Sequence, residues 1–357
     1  MKSSRRQFSK TVILGAAASQ VDFMSSSQAA EGSVVTANGV HLPARTIPNP
    51  KSISPEAQAM MAAPTMVALS YPPVEQPVAW RVYTARMDAA VMPMVAAVAS
   101  SVAANVEEIR VGEATVFAIT PEQAQVDDRF VYLDIHGGGL VMGGGALCRA
   151  FGMATAARYG SKVWTVDYRM PPDHPYPAPL DDCVATYRKL LTLHRPEEII
   201  IGGGSAGGNL AAAMILRARD EGLPLPAATY LGTPELDLTE SGDSFQTNLG
   251  LDARLTESLM RANLLYAAGH DLTHPYLSPL FGDFSRGFPP TLLTTGTRDL
   301  FLSNAVRMHW ALRNHGIPAE LFIDEAGSHG GFGGCPEGAQ VEREVRRFLK
   351  QYWGRRA

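Results

Sequence analysis

Several features are scarce or missing in this sequence of 357 residues, and each absence narrows what the chain can be. Basic residues are not in excess, because the net charge at neutral pH is -4, so the composition carries no electrostatic footprint for nucleic acid. No run of about 18 consecutive apolar residues occurs, so we predict no stable membrane span. The sequence also lacks an internal repeat and a long low-complexity tract.

Cysteine is rare as well. Cys148, Cys183 and Cys335 are far apart and form neither a C-x-x-C pair nor another spacing typical of metal ligands. The sequence therefore predicts no disulfide framework and no metal site, and we expect the three side chains to pack among other residues.

The first thirty residues differ from the rest of the chain. They combine a basic start, a modest apolar stretch and small residues suited to cleavage. Arg5 and Arg6 lie in SRRQFSK, which is similar to a twin-arginine export signal. We predict a signal peptide over 1–30 and a periplasmic or secreted protein. A disordered basic tail on a cytoplasmic protein is the alternative, and Asp22 and the short apolar stretch count in its favour.

The remaining chain has the composition of an ordinary soluble protein, with 46% apolar and 18% charged residues. Residues 31–105 are rich in Pro, Ala and Met and show no strand pattern, so we predict an N-terminal cap segment there. From Val106 onward, apolar strands alternate with helical patterns. This order predicts an α/β fold with a mostly parallel sheet, helices on both faces and a catalytic domain over 106–357. The alternation stops over about 237–285, which we interpret as a second part of the helical cap.

One short stretch, IIIGGGSAGGNL, places a serine among five glycines at Ile199–Leu210. A β-branched run precedes Ser205 and a helical pattern follows it, which is the strand-turn-helix context that a G-x-S-x-G nucleophile elbow requires. The glycines suit a sharp turn whose central residue has a strained backbone. A glycine-rich turn without chemistry is the alternative interpretation.

A serine hydroxyl needs a base to accept its proton and an acid to orient that base. In α/β-hydrolases the three residues follow the order Ser, Asp or Glu, His. His329 fits as the base, because it lies in a glycine-rich loop just after a strand. Asp299 fits as the acid, because it follows the apolar strand pattern of LLTTG, although capping of the next helix would also explain it.

The sequence also offers other histidines and acids for these two roles. The alternative bases are His309 and His315, which lie on a helical pattern where a structural role is expected. The alternative acids are Asp324 and Glu325, which lie too close to His329 along the same strand end.

Backbone N–H groups are expected to stabilise the oxyanion of the reaction. Ala206 directly follows the serine and supplies one such group. The glycines of HGGGL, which are Gly137, Gly138 and Gly139, follow a predicted strand and allow a substrate carbonyl to approach the backbone closely. We expect His136 to hold this loop by hydrogen bonds rather than to act as the base.

These motifs together resemble the hormone-sensitive-lipase family of α/β-hydrolases, the bacterial family IV esterases. The likeness covers roughly 106–355 and includes HGGGL, GGSAGGNLAAA, DYRMPPDHPYPAPLDDC, GTRDLFLSNA and SHGGF. It implies Ser205 as nucleophile, Asp299 as acid and His329 as base, and no metal or organic cofactor. Gly204 stands where the family usually has an aspartate, and Asp173 stands where relatives carry a glutamate.

The sequence thus predicts an ester hydrolase that forms an acyl-enzyme with short and medium acyl esters. Lactones are an alternative class of substrate. A homodimer is an alternative to a monomer. No partner beyond a small-molecule ester is predicted, and nucleic acid is not one. A ligand-binding protein on the same scaffold and a peptidase of the same fold are the competing functions. Both are disfavoured, the first by the complete Ser, Asp and His set and the second by the lack of a peptide-terminus signature.

Overall fold

The computed structural model describes residues 34–63, 70–124, 127 and 129–353, so the predicted signal peptide lies outside the described residues. Two compact units divide between Pro48 and Asn49. The first contains an antiparallel hairpin of β1 (Val34–Thr36) and β2 (Gly39–His41). Sequence analysis detected no strand over 31–105. The hairpin was missed because strands of three residues are too short to show an alternating pattern.

The second unit, which begins at Asn49, contains the main sheet and the helices that cover it. Its strands are β3 (Ala104–Val111), β4 (Ala114–Pro121), β5 (Val131–Ile135), β6 (Lys162–Asp167), β7 (Ile199–Gly204), β8 (Ala228–Gly232), β9 (Thr291–Gly296) and β10 (Ala319–Asp324). Its helices are α1 (Pro55–Ala62), α2 (Pro77–Ala99), α3 (Ala146–Tyr159), α4 (Ala178–Leu190), α5 (Ala206–Asp220), α6 (Ser244–Thr247), α7 (Met260–Ala267), α8 (Leu302–Asn314) and α9 (Pro336–Tyr352).

The eight strands form one sheet in the order β10-β9-β8-β7-β5-β6-β4-β3. The pairs β3–β4 and β4–β6 are antiparallel, and all other neighbours are parallel. The predicted α/β fold with its mostly parallel sheet is confirmed, and the structure adds antiparallel pairing at the edge formed by β3 and β4. In such sheets, ligands bind beyond the carboxyl ends of the parallel strands.

Both faces of the sheet are covered by helices, and the alternation of side chains along the central strands assigns the faces. Leu133 of β5 and Ile201 of β7 are buried with residues of α4, α5 and α8. Their neighbours Tyr132 and Ile200 point the other way and are buried with residues of α3 and α9. We call the second side the rear face of the sheet. All five residues of β5 are buried, as expected for a central parallel strand.

Residues far apart in the chain meet where α1 begins. The carboxylate of Glu337, in the first turn of α9, accepts hydrogen bonds from the Ser54 backbone N–H at 2.6 Å and from the Ser54 hydroxyl at 2.8 Å. The same hydroxyl accepts from the N–H of Ala57 and thus caps α1. Ala57 is buried against Phe332, which lies three residues beyond His329. Helix α1 therefore packs on the loop that carries His329.

The two segments predicted to form the cap contact each other. Trp80 and Tyr83 of α2 form one buried cluster with Ala262 and Leu265 of α7, and Val141 belongs to the same cluster. The described residues do not fix where a cap begins or ends, so its boundaries remain predictions.

Helix α2 qualifies the expectation that the chain has no membrane span. Over its 23 residues it is long and apolar enough to cross a membrane, with a mean hydropathy of 1.2 over an 18-residue window. Length and composition are weak evidence, because core helices and signal sequences meet the same test.

Candidate active site

The elbow at Ser205 joins β7 to α5 and has the backbone that the motif predicts. Ser205 has φ 58° and ψ -126°, a strained conformation for a residue with a side chain. A Cβ atom at Gly203 or Gly207 would clash with the carbonyl oxygen of Ile135, so both positions require glycine. The N–H of Ser205 donates to the Gly232 carbonyl at 2.8 Å, which ties the turn to the end of β8.

The glycine loop after β5 packs directly on this elbow. A Cβ at Gly137 would lie 3.3 Å from the Cβ of Ser205, so these two backbones are in close contact. Gly138 and Gly139 have φ 126° and 58°, conformations that favour glycine. Ala206 is the first residue of α5, so its N–H belongs to the first turn, which has no acceptor within the helix.

His136 holds the glycine loop by a hydrogen bond, as the sequence predicts. Its Nδ1 lies 2.8 Å from the Gly137 carbonyl oxygen and must carry the proton, because a carbonyl can only accept. Its ring stacks on Tyr168, with 4.1 Å between ring centroids, and the Tyr168 hydroxyl donates to the His136 carbonyl. Burial lowers the pKa of His136 to about 4, so the ring is neutral near pH 7.

Asp299 and His329 come together from the loops that follow β9 and β10. Nδ1 of His329 lies 3.2 Å from Oδ1 of Asp299, and Asp299 is completely buried. The Thr295 hydroxyl donates to Oδ2 of Asp299 at 2.8 Å, and the N–H of Phe301 donates to Oδ1 at 2.9 Å. The carboxylate is therefore oriented by three donors. Among the hydrogen bonds of the described residues, none joins the Ser205 hydroxyl to His329.

The alternative residues lie elsewhere. His309 and His315 are on α8 and at its end, and Nδ1 of His315 contacts the Ala311 carbonyl. Asp324, at the end of β10, lines a cavity on the rear face of the sheet. No hydrogen bond of the described residues joins His329 to Asp324 or Glu325.

Asp252 is a site residue that the sequence analysis missed. Both of its carboxylate oxygens accept from the backbone N–H of His329, at 3.3 and 3.2 Å. Oδ2 also accepts from the N–H of Leu300, the residue after Asp299, at 2.9 Å. Asp252 is 2% exposed and lies in the predicted cap insertion. No motif marks it, and only the long-range contacts show that one side chain holds both loops.

Comparison with known proteins places this chain in a family. The family model of the alpha/beta hydrolase fold matches residues 132–332. An acetyl-hydrolase of Streptomyces hygroscopicus is 35% identical over 212 residues, which cover 59% of this chain and 70% of that protein. The crystal structure of esterase E25 superposes with a TM-score of 0.80 at 33% identity, covering 88% of this chain and 99% of that one. An esterase from the bacterial hormone-sensitive lipase family superposes with a TM-score of 0.70 at 28% identity, over 84% and 99% of the two chains.

The chain is an α/β-hydrolase of the hormone-sensitive-lipase family. Relatives that match it are named esterases and carboxylic ester hydrolases, so it belongs to a family of enzymes, and the expected class of serine ester hydrolase is confirmed.

Gly204, where the family usually has an aspartate, is the last residue of β7. A Cβ at this position would have the Gly232 carbonyl oxygen as its nearest neighbour, at 3.6 Å, so a side chain would fit without a clash. The glycine is therefore not required by close packing, unlike Gly203 and Gly207.

A second unexpected acid of the hydrolase lies next to the elbow. Glu235 is fully buried, and its N–H donates to the Ser205 carbonyl at 3.2 Å. Burial, reinforced by the negative charge of Glu240, raises the pKa of Glu235 to about 8. The amide of Asn263 lies close enough to favour the ionised form, yet neither carboxyl oxygen has a hydrogen-bond partner of normal geometry among the described residues. Glu235 is therefore mostly protonated near pH 7.

An aromatic wall stands beside the glycine loop. The Tyr71 hydroxyl would lie 3.9 Å from a Cβ at Gly139. Its ring stacks on Trp80 at 5.7 Å and tilts against Tyr83 at 5.3 Å between ring centroids. The sequence analysis described residues 31–105 as rich in Pro, Ala and Met, but the side chain that the structure places beside the glycine loop is the aromatic Tyr71.

The three cysteines are buried and free. Three side chains could together offer ligands to a metal ion, because ligand atoms of His136, Cys148 and Asp167 lie within 4.8 Å of one another. The spacing of the cysteines in the sequence did not indicate this group. Burial raises the pKa of the Cys148 thiol well above its usual value, which opposes the thiolate form that binds metals. Asp167 already accepts the N–H of Gly145 at 2.9 Å. We therefore assign no metal to this group.

Proposed function

We propose that this hydrolase cleaves carboxylic esters of short and medium acyl chains, with Ser205 as nucleophile, His329 as base and Asp299 as the acid that orients it. The buried pair of Asp299 and His329, at 3.2 Å, carries the proposal. Asp299 can only accept, so it fixes the proton of His329 on Nδ1 and leaves Nε2 free to take a proton.

In the first half of the reaction, Oγ of Ser205 attacks the ester carbonyl carbon while its proton passes to Nε2 of His329. The negative charge that develops on the carbonyl oxygen is stabilised by N–H groups of Ala206 and of the loop Gly137–Gly139. Nε2 then returns the proton to the leaving alcohol, the ester C–O bond breaks, and the acyl group stays on Ser205.

In the second half, water replaces the alcohol. His329 takes a proton from the water as its oxygen attacks the acyl carbon, and returns the proton to Oγ of Ser205 as the acid leaves. This cycle needs no cofactor. Asp299 keeps its hydrogen bond to Nδ1 of His329 and stabilises the positive charge that develops on that ring.

Tyr71, which lies beside the glycine loop and packs on the buried rings of Trp80 and Tyr83, supports the proposed substrate size. Rings of this kind suit a compact apolar or aromatic group, because they are rigid and bury a large area. Lactones of similar size would meet the same groups, and a lactone panel assayed beside linear esters distinguishes the two substrate classes.

Covalent labelling tests the nucleophile. A fluorophosphonate should modify the enzyme at one site, and mass spectrometry of the digested protein should find the adduct on Ser205. An adduct on another serine, together with loss of ester hydrolysis, would contradict the assignment.

A further inference from the structure

A cavity of about 220 Å³, with both polar and apolar walls, lies on the rear face of the sheet, on the side of α3 and α9. Its walls include Tyr132, Asp134, Tyr159, Gly204, Tyr230 and Asp324. We call it the rear cavity. It is smaller than a typical pocket for a drug-sized ligand, which holds about 300–1,000 Å³.

Segments next to all three proposed catalytic residues form part of its walls. Gly204 directly precedes Ser205, and Gly330 directly follows His329. Thr295, which donates to Asp299, lines the same cavity. A ligand in the rear cavity would therefore touch the backbone on which the active site is built, without entering the site itself.

The charges that face the cavity are mainly negative. Arg158 forms a half-exposed ion pair with Glu342 at 3.5 Å, so these two charges largely offset each other. Asp134 accepts hydroxyl groups of two threonines, and neither it nor Asp324 forms an ion pair among the described residues. Burial raises the pKa of each of these carboxyl groups to about 6, so both are mostly ionised near pH 7.

Aromatic rings line the cavity beside these carboxylates. The ring centroids of Tyr132 and Tyr159 are 5.2 Å apart, and those of Tyr159 and Tyr230 are 6.5 Å apart at nearly a right angle. Tyr132 is only 1% exposed, yet its hydroxyl makes no hydrogen bond to any described residue. The residue lines the cavity, so its hydroxyl is available to a polar occupant.

Gly204 keeps the cavity open. Ile200, Gly202 and Gly204 alternate along β7 onto one face, and Ile200 is buried on the rear face. A Cβ at Gly202 would clash with the Tyr132 hydroxyl, which confirms that direction. A side chain at Gly204 would therefore extend into the cavity. The aspartate usual in the family would take up this space, so the open cavity is a property of this chain.

We propose that the rear cavity binds a small organic ammonium ion, and that its occupancy changes the rate at the active site. Aromatic faces together with carboxylates recognise alkylammonium ions, because the ring quadrupole and the negative charge both attract the cation. A hard metal ion would instead require several oxygen ligands close together. Among the described residues, Asp134 and Asp324 belong to no group of three His, Cys, Asp or Glu side chains whose ligand atoms lie within 4.8 Å of one another.

Tetramethylammonium is a suitable probe, since it cannot be acylated. Calorimetric titration of the full chain at constant ionic strength should show saturable binding, and tert-butyl alcohol, of similar size but neutral, should bind roughly tenfold more weakly or not at all. Asp324→Asn should weaken binding about fivefold or more, and Gly204→Leu should abolish it by filling the cavity. Glu113→Gln, which changes an exposed acid that does not line the cavity, should bind as the wild type does.

Two further measurements separate this cavity from the active site. Enzyme whose Ser205 carries a phosphonate should still bind the ion, and Ser205→Ala should do so too, whether or not Ser205 is catalytic. In the unmodified enzyme, saturating tetramethylammonium should change kcat for p-nitrophenyl butyrate by about twofold or more, with little change in KM. Gly204→Leu should not respond.

The proposal is overturned if tetramethylammonium does not bind, or if Asp324→Asn and Gly204→Leu bind it like the wild type. Displacement by the phosphonate would place the ion in the active site and would also overturn it. Binding without any change in kcat would overturn the proposed coupling. Saturable binding of Ca²⁺ from CaCl2, without binding of tetramethylammonium, would mean that the cavity binds a metal ion rather than an organic cation.

Discussion

Asp252 accepts the backbone N–H of His329 with both of its carboxylate oxygens, at 3.3 and 3.2 Å. Its Oδ1 also accepts the N–H groups of Arg254 and Leu255, and its Oδ2 accepts that of Leu300. A side chain of the predicted cap insertion thus fixes both loops that carry the Asp299–His329 pair. We therefore consider Asp252 a positioning residue for the reaction.

Asp252→Ala should lower kcat for p-nitrophenyl butyrate about tenfold to a hundredfold and leave KM within about twofold, because the loops lose their orientation while the substrate wall is unchanged. Asp252→Asn should rescue only part of this loss, because its side-chain NH2 would replace one oxygen that accepts backbone N–H groups and cannot accept them itself. Asp243→Asn is the matched control, since this nearby acid is exposed. Full kcat in a folded Asp252→Ala variant would show that the contact is only structural.

Ser205→Ala should leave the fold intact and lower ester hydrolysis on the order of 10⁴-fold, and His329→Ala should be about as damaging, because the two residues act as a unit. The double variant should be scarcely slower than either single variant. The steady-state rates of the three variants test whether the losses are additive. Circular dichroism checks that each variant is folded. Additive losses would argue that His329 does not serve Ser205.

Glu235→Gln should make the protein more stable at alkaline pH. The pKa of Glu235 is about 8 in the folded protein and lies near its ordinary value of 4.5 in the unfolded chain, so the unfolded chain releases this proton first. The native glutamate therefore costs stability that grows as the pH rises from about 4.5 to 8 and is then constant. Gln is always neutral and lacks this cost.

Urea unfolding at several pH values from 5 to 9 tests this expectation. The free energy of unfolding of the variant minus that of the wild type should rise with pH over this window, by an amount on the order of a few kcal/mol. Glu240→Gln is a useful comparison, since that carboxylate accepts the Ser258 hydroxyl and the N–H of Leu259. A difference between Glu235→Gln and the wild type that does not vary with pH would mean that Glu235 is ionised in the folded protein.

The length of the acyl chain should decide the rate. Across p-nitrophenyl esters at matched concentration, activity should be highest at about four to eight carbons and fall sharply by palmitate, because each added methylene gains about 0.8 kcal/mol only while the pocket can receive it. Tyr71→Ala should move the maximum toward longer chains, and Val78→Ala, on an exposed part of α2, should not. A maximum at palmitate with activation at a lipid interface would instead indicate a lipase.

Export should depend on Arg5 and Arg6, which lie outside the described residues. Changing both to lysine should keep the protein in the cytoplasm with its leader uncleaved, because the twin-arginine signal requires the arginine pair. Cell fractionation with mass spectrometry of the mature N-terminus measures the outcome. A protein that is still periplasmic would favour a general secretory route.

Sequence patterns predicted the parts of the fold that depend on neighbouring residues. The alternation along β3 and β4, the apolar runs of β5 and β7 and the cluster of glycines around Ser205 are local signals in the sequence. These signals were enough to identify the sheet and to select the residues that the structure places at its carboxyl edge.

The remaining features depend on contacts that no local pattern encodes. Asp252 reaches His329 across 77 residues, and its neighbours in sequence resemble any polar loop. In the sequence Glu235 looks like any other acidic residue of a loop. Only the folded structure shows that its carboxyl group is buried without a hydrogen-bond partner of normal geometry among the described residues. The hairpin near residue 38 was missed because its strands are too short to show a period.

The contact of Ser54 with Glu337 has a consequence for how the protein is made. Its partners are 283 residues apart, so the loop that it closes spans most of the chain. Helix α9 follows all the other described elements in the chain, so α1 can take its place against Phe332 and the loop of His329 only after α9 has been synthesised. A nascent chain that still lacks α9 therefore holds Ser205 and Asp299 but leaves the His329 loop without its outer support. Hydrolytic activity should therefore appear only after α9 has left the ribosome, and a nascent chain stalled before Pro336 should be inactive.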